Sequence, residues 1–235
     1  SARDTVTDPA VLDFDMLQTG HGDRRSIPNT IRRVQKAYAD EPVMPVINGE
    51  VCYEGIGEAC RQEVQRFMFW ACMLSGACGH TYGANGIWQV NNKERPYGPS
   101  PHGMAWGHTP WDEASQLPGS GQLGLAKAFL ARYEWWRFEP HSEWVDPAAS
   151  ADEPNAAFAA GIPGQVRVVF LPSGVWGITV KGLERDSSYH ASLFSPVDGD
   201  ERQIGLVEAD AQGDWRCPIL RAPIFQDWVL VLDAV

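Results

Sequence analysis

An apolar run, Val43–Ile47 in "VMPVINGEVCYEG", ends abruptly in Asn48-Gly49-Glu50, with Tyr53 and Glu54 just behind. A carboxylate at the tip of a short apolar strand is held rigidly at a sheet end, which is where acid, base or nucleophile work is done. The same pattern also serves an ion pair or a helix cap, and the spacing alone leaves both open. Tyr53 is placed either to hydrogen-bond Glu50 or to pack. Glu54 and Glu58 are read as acidic residues opening the next helix, where they favour its dipole. Two further apolar-to-polar transitions accompany Glu50. "AVLDFDMLQTGHG" (10–22) delivers Gln18 and His21, and "GHTYGANGIWQV" (79–90) delivers His80 and Tyr82, followed by Trp88. His80 and Tyr82, two apart on a strand, are expected to point the same way and to form a polar-plus-aromatic subsite with Trp88. Asp13 and Asp15 alternate along the first strand, so one of them could reach the site, with ion pairing as the other reading.

These segments need helices between them. "SIPNTIRRVQKAYADE" (26–41) places Ile27, Ile31, Val34 and Tyr38 on one face, with Ser26 as N-cap and Pro28 in the first turn. "GEACRQEVQRFMFWACMLSGA" (57–77) and "SGQLGLAKAFLARYEWW" (120–136) repeat the helical period. Alternating strand and helix predicts a parallel sheet covered by helices. Polar strand ends at three consecutive strands suit the carboxyl-end face of a β/α barrel. No glycine-rich phosphate loop follows a strand, which disfavours a nucleotide-binding sheet.

From about residue 145 the helical period stops. "QVRVVFLPSGVWGITVKGL" (165–183) reads as two strands about Pro172-Ser173-Gly174, and the segments 187–200, 202–220 and 227–235 continue with Asp-Gly and Gly-Asp turns. Short strands at regular spacing predict an antiparallel β-sandwich. The boundary falls in the polar, Pro- and Ala-rich stretch "HSEWVDPAASADEPNAAF", dividing the chain into 1–144 and 145–235.

Several function classes are excluded by composition. The 235 residues carry a formal charge of −11 and no basic stripe, against a nucleic-acid partner. No run of about 18 apolar residues exists, against a membrane span. The opening "SARDTVTDPAVLDFDM" lacks a basic region followed by an apolar one, so no signal peptide is expected there. The five cysteines, Cys52, Cys60, Cys72, Cys78 and Cys217, match no zinc spacing. They are read as mostly reduced, which points to an intracellular compartment. His102 and His108 lack a third ligand at a suitable spacing, and no Gly-x-Ser-x-Gly elbow is present. Neither a metal nor an organic cofactor is expected.

Taken together, "PVINGEVCYEG", "SGACGHTYGANGIWQV", "WDEA…PGSGQLG" and "WWRFEP" resemble the DUF4038, apiosidase-like glycoside hydrolases. The later strands resemble the small β-domain attached to those enzymes, whose family label is collagen binding. The resemblance implies an α/β plus all-β chain, the C-terminal part of a (β/α)8 TIM barrel followed by a small antiparallel β-sandwich. It implies a retaining hydrolase acting on a furanoside such as apiose or arabinofuranose, with Glu50, ending the seventh strand, as nucleophile. Gln18, His21, Tyr53, His80, Tyr82 and Trp88 would then bind the sugar. Segments 10–17 and 79–90 become strands six and eight. Strands one to five and the acid/base carboxylate have no counterpart here, so a second polypeptide or a cleaved N-terminal segment is expected to complete the barrel. Relatives that degrade polysaccharide are exported, which opposes the cysteine argument. The alternative is a non-catalytic carbohydrate-binding protein.

Overall fold

Three short parallel strands carry the first half of the chain. The structure, a computed structural model, describes residues 1–98, 106–175, 177–218, 223 and 225–235. The strands are β1 (Asp15–Gln18), β2 (Val46–Glu50) and β3 (Gly79–His80). They lie side by side in that order, with Leu17 opposite Asn48 and Asn48 opposite His80. Helix α1 (Ile27–Ala39) links β1 to β2, and α2 (Gln62–Met73) links β2 to β3. Each crossover carries one sheet edge to the next, the βα arrangement that parallel pairing requires. After β3 come α3 (Trp111–Ala114) and α4 (Pro118–Leu130).

The strands are shorter than their apolar runs. Residues Pro9–Val11 form a 3-10 turn, so the first strand begins only at Asp15, and the third stops at His80. Similarly, α2 begins at Gln62 because Gly55, Gly57, Glu58 and Cys60 all adopt positive φ. Along α1, Ile27, Ile31 and Val34 are buried as the period demands, but Tyr38 is 44% exposed and Ala37 takes the inner position. Ser26 does not cap α1 through its side chain; its hydroxyl instead accepts the Gly22 N–H at 2.7 Å. Asp13 is exposed, and Asp15 is buried in a structural pair. It accepts the Arg3 backbone N–H at 3.1 Å and lies 3.7 Å from the Arg3 guanidinium.

Two antiparallel sheets follow. Strands β4 (Glu139–Pro140), β5 (Val145–Asp146), β6 (Phe158–Ile162), β7 (Val166–Leu171), β8 (Thr179–Val180), β9 (Tyr189–Phe194), β10 (Glu201–Leu206), β11 (Trp215–Arg216) and β12 (Trp228–Ala234) divide unequally. Six form one sheet in the order β10-β9-β12-β7-β6-β4, and three form another in the order β11-β8-β5. Contrary to the hairpin expected around Pro172–Gly174, β7 and β8 belong to different sheets. β7 pairs with β6 and β12, and β8 pairs with β5 and β11. The Ala- and Gly-rich β6 carries a single β-branched residue, Ile162, and tertiary pairing makes it a strand.

Alternation along β7 explains how the parts join. Val166, Val168 and Phe170 face the helices, sharing one core with Phe67, Trp70, Leu123 and Phe129. Val169 and Leu171 face the small sheet, sharing another core with Val145, Val180 and Trp215. Both faces of β7 are therefore buried, which is why "VRVVFL" is almost uninterruptedly apolar. Helix α2 is buried nearly all round for the same reason. Phe67 meets Phe158 and Phe170 edge-on at 5.8 and 5.7 Å, and Trp70 stacks on Phe170 at 6.1 Å. Burial of each such aromatic contributes about 1.5–3 kcal/mol. No helix among the described residues is long and apolar enough to cross a membrane.

Candidate active site

The chain delivers Glu50 where β2 ends, and β1 and its following loop close over it. Gln18, the last residue of β1, donates from Nε2 to Glu50 Oε1 at 2.8 Å. His21 Nε2 lies 2.8 Å from the same oxygen. The Tyr53 hydroxyl bonds the same carboxylate; burial, then the Glu50 bond and charge, push its pKa up to about 12. A phenol with that pKa remains a donor throughout the working range of an enzyme. Three polar partners on one carboxylate fix its rotation. The side chain is still one-third exposed, at 33%, so a ligand can reach it.

The surrounding residues hold these donors. Thr19 N–H donates to the Glu50 carbonyl at 3.0 Å, extending the β1–β2 ladder past the strand ends. From the first turns of α1, Asn29 donates to the Thr19 carbonyl at 2.9 Å and Thr30 to the Thr19 hydroxyl at 2.9 Å. Tyr53 lies against Gly83, where a Cβ would come within 2.3 Å of its ring, so no larger residue fits there. The His21 ring sits 4.6 Å from the Tyr53 ring and 6.4 Å from Trp106. Trp106 is brought in by a backbone bond, Gly57 N–H to the Trp106 carbonyl at 2.8 Å. It lies in a Gly/Pro/Trp-rich loop with no period, so no sequence signal distinguishes it from its neighbours.

Other expected residues go elsewhere. His80 does not join Glu50: its ring turns to the helix side of β3, edge-on to Phe69 at 5.5 Å. Both of its ring nitrogens are buried without a partner, and burial brings its pKa down to about 4. Tyr82 does not point with it, because the strand has already ended. Its hydroxyl donates to Glu54 Oε2 at 2.6 Å. Trp88 is 47% exposed and packs against Tyr97 at 5.3 Å. His102 lies outside the described residues. Among the described residues, no three or more His, Cys, Asp and Glu side chains gather in a way that could hold a metal ion.

Glu54 also departs from expectation. Instead of opening a helix on the surface it is fully buried, and burial raises its pKa. Its Oε2 accepts the Gly119 N–H at 2.9 Å as well as Tyr82. It thereby ties the loop after β2 to the loop after β3 and to the N-terminus of α4. Its backbone N–H donates to the Gly83 carbonyl at 2.8 Å, and its carbonyl accepts the Asn85 N–H at 2.8 Å. Local sequence cannot separate this role from a helix-opening glutamate, since the partner lies 65 residues away.

The first half of the chain is thus a three-stranded parallel βα sheet with a clamped carboxylate at its carboxyl ends. The model of the family described as "Apiosidase-like, catalytic domain" matches residues 1–137. The chain belongs to this family. A comparison with curated proteins gave no match. Among solved structures, a protein named "Glycoside hydrolase" superposes with a TM-score of 0.79 at 22% identity, over 94% of this chain and 52% of that one. A family 5 glycoside hydrolase from Bacteroides vulgatus ATCC 8482 superposes with a TM-score of 0.78 at 22% identity, over 97% of this chain and 52% of that one. The chain thus spans about half the length of these structures.

Proposed function

We propose that this chain supplies the nucleophile side of the active site of a retaining glycoside hydrolase acting on a furanoside or related glycan. The observation that carries this reading is the convergence of Gln18, His21 and Tyr53 on Glu50 at a strand end, in a member of the apiosidase-like family. In this reading residues 1–144 are the C-terminal part of a (β/α)8 barrel, with β1, β2 and β3 as its strands six to eight. Residues 145–235 form an accessory β-sandwich. The sheet face carrying the half-exposed Met16 and the exposed Gln18 becomes the barrel interior. The five remaining strands and the acid/base carboxylate come from a second polypeptide or an N-terminal segment.

Retention needs two carboxylates about 5–5.5 Å apart. Glu50 attacks the anomeric carbon, while the acid/base group protonates the departing oxygen. A covalent glycosyl-enzyme forms, and water activated by the same acid/base group releases the sugar. Gln18 and His21 hold Oε1, so rotation of the attacking group is restrained before substrate arrives. Tyr53 and Trp106 wall the sugar position, and Tyr82 acts through Glu54.

Glu50→Gln tests the reading in the completed protein with an aryl furanoside. Turnover falls by several orders of magnitude while affinity for the sugar persists, because the nucleophile is lost but its shape is kept. Hydrolysis at the wild-type rate overturns the assignment. Sugar binding with no hydrolysis by the wild-type protein favours the carbohydrate-binding alternative.

A further inference from the structure

Behind Glu50, the segment after β2 doubles back through Gly55, Gly57, Glu58 and Cys60, whose φ angles are +79°, +60°, +61° and +56°. Two of these residues are not glycine, and side chains rarely adopt that region unless the surroundings demand it. The turn returns Cys60 to Cys52. The two thiols are hydrogen-bonded to one another, and both residues are buried. The Gln65 amide on α2 touches both, donating to the Cys52 carbonyl at 2.9 Å and reaching Cys60 Sγ at 3.9 Å. Nothing in the site's chemistry uses these thiols. Cys52 also anchors a loop: as a thiol it donates to the Gly20 carbonyl at 3.3 Å. Gly20 immediately precedes His21, which holds Glu50.

We propose that Cys52 and Cys60 are a modification site, a dithiol that a small peroxide closes to a disulfide, and that closure frees the Gly20–His21 loop. Donation from Cys60, opposed by burial and aided by Ser26 and the Asp23 backbone, lowers the Cys52 pKa to about 7. The bond to Cys52, with burial, raises that of Cys60. The pair therefore divides into an attacking thiolate and a resolving thiol. Cys52 thiolate attacks a peroxide oxygen, the O–O bond breaks, and hydroxide leaves a sulfenic acid on Cys52. Cys60 sulfur then attacks that sulfur. The S–S bond forms, the S–O bond breaks, and the oxygen departs as water with the Cys60 proton. Two thiols are oxidised and one peroxide is reduced to two waters. The product has no S–H to donate to Gly20.

The test needs only the purified chain and hydrogen peroxide. After brief treatment, denaturation and alkylation, the number of reactive cysteines drops by two, and a non-reducing peptide map shows the peptides of Cys52 and Cys60 joined. Reductant restores both. Cys60→Ser prevents the loss, and Cys52→Ser, which keeps a donor for Gly20, does so independently. Trypsin reports on the loop at the exposed Arg24 and Arg25. Cleavage there becomes about two- to tenfold faster on oxidation, the factor expected when a loop carbonyl loses one hydrogen bond. A different linked pair, or irreversible oxidation of Cys52 alone, overturns the site. A Cys52–Cys60 link with unchanged cleavage overturns its coupling to the loop. No sugar or turnover enters the experiment, so its outcome is independent of the hydrolase reading.

Discussion

Tyr53 shows what one side chain contributes around Glu50. With its pKa near 12 it never competes for the carboxylate's charge and only donates to it. Under the hydrolase reading, Tyr53→Phe lowers kcat by about ten- to hundredfold, the range for one bond to a charged group. Steady-state kinetics on an aryl furanoside, with little change in KM, check this. His80 makes a different prediction. Its ring is neutral when folded, with a pKa near 4 against the ordinary 6.5. Between those values the unfolded chain binds a proton that the folded chain refuses. Stability is therefore fullest above about pH 6.5 and declines as pH falls toward 4. Urea midpoints at pH 7 and pH 5 measure the decline. His80→Phe, which keeps the ring against Phe69, flattens it.

Helix α4 illustrates how an element is placed by its first turn. Pro118 starts it, and the Glu54 carboxylate, reaching from the β2 loop, accepts the Gly119 N–H. This is the favoured position for a carboxyl oxygen near a helix N-terminus. Gly119 leaves no room for anything larger: a Cβ would sit 2.3 Å from Glu54 Oε2 and 3.1 Å from the Tyr82 ring. Glycine is otherwise poor inside helices, costing ~1 kcal/mol relative to alanine. Along this one helix the two effects separate. Gly121→Ala and Gly124→Ala meet open space and raise the melting temperature. Gly119→Ala destabilises by about 1–3 kcal/mol, as overpacking does. Thermal unfolding of the three variants in parallel tests the contrast.

The whole molecule is latched by a buried ion pair that crosses from α2 to the segment before β12. Arg66 Nε donates to Asp227 Oδ2 at 2.9 Å and Nη2 to Oδ1 at 2.6 Å, while Nη1 reaches Gln122 on α4 at 2.6 Å. Both charged side chains are under one-tenth exposed. Such a pair adds little over an apolar substitute, but breaking it strands a charge. Asp227→Ala should cost ~3–5 kcal/mol by denaturant unfolding. The double replacement Arg66→Met with Asp227→Leu should recover most of that. If the single and double variants unfold alike, the latch has no such role.

How much of this was legible follows from the range of each interaction. Strand–helix alternation, the polar strand tips and the Glu50 position came from patterns a few residues long, and Gln18, His21 and Tyr53 followed from them. Family membership was legible in the motifs around Glu50, His80 and Trp111. Strand ends were not, because where a strand stops depends on its pairing with neighbours, which periodicity does not report; His80 and Tyr82 parted company for that reason. Nor were the partners of Glu54, Cys52 and Arg66, which come from far along the chain or across a tight turn. Sequence by itself determined which residues are apolar or ionisable and at what local period they recur. Tertiary structure alone decided which carboxylate stays at the surface and which is buried. Burial and hydrogen-bond partners, not residue type, distinguish Glu50 from Glu54.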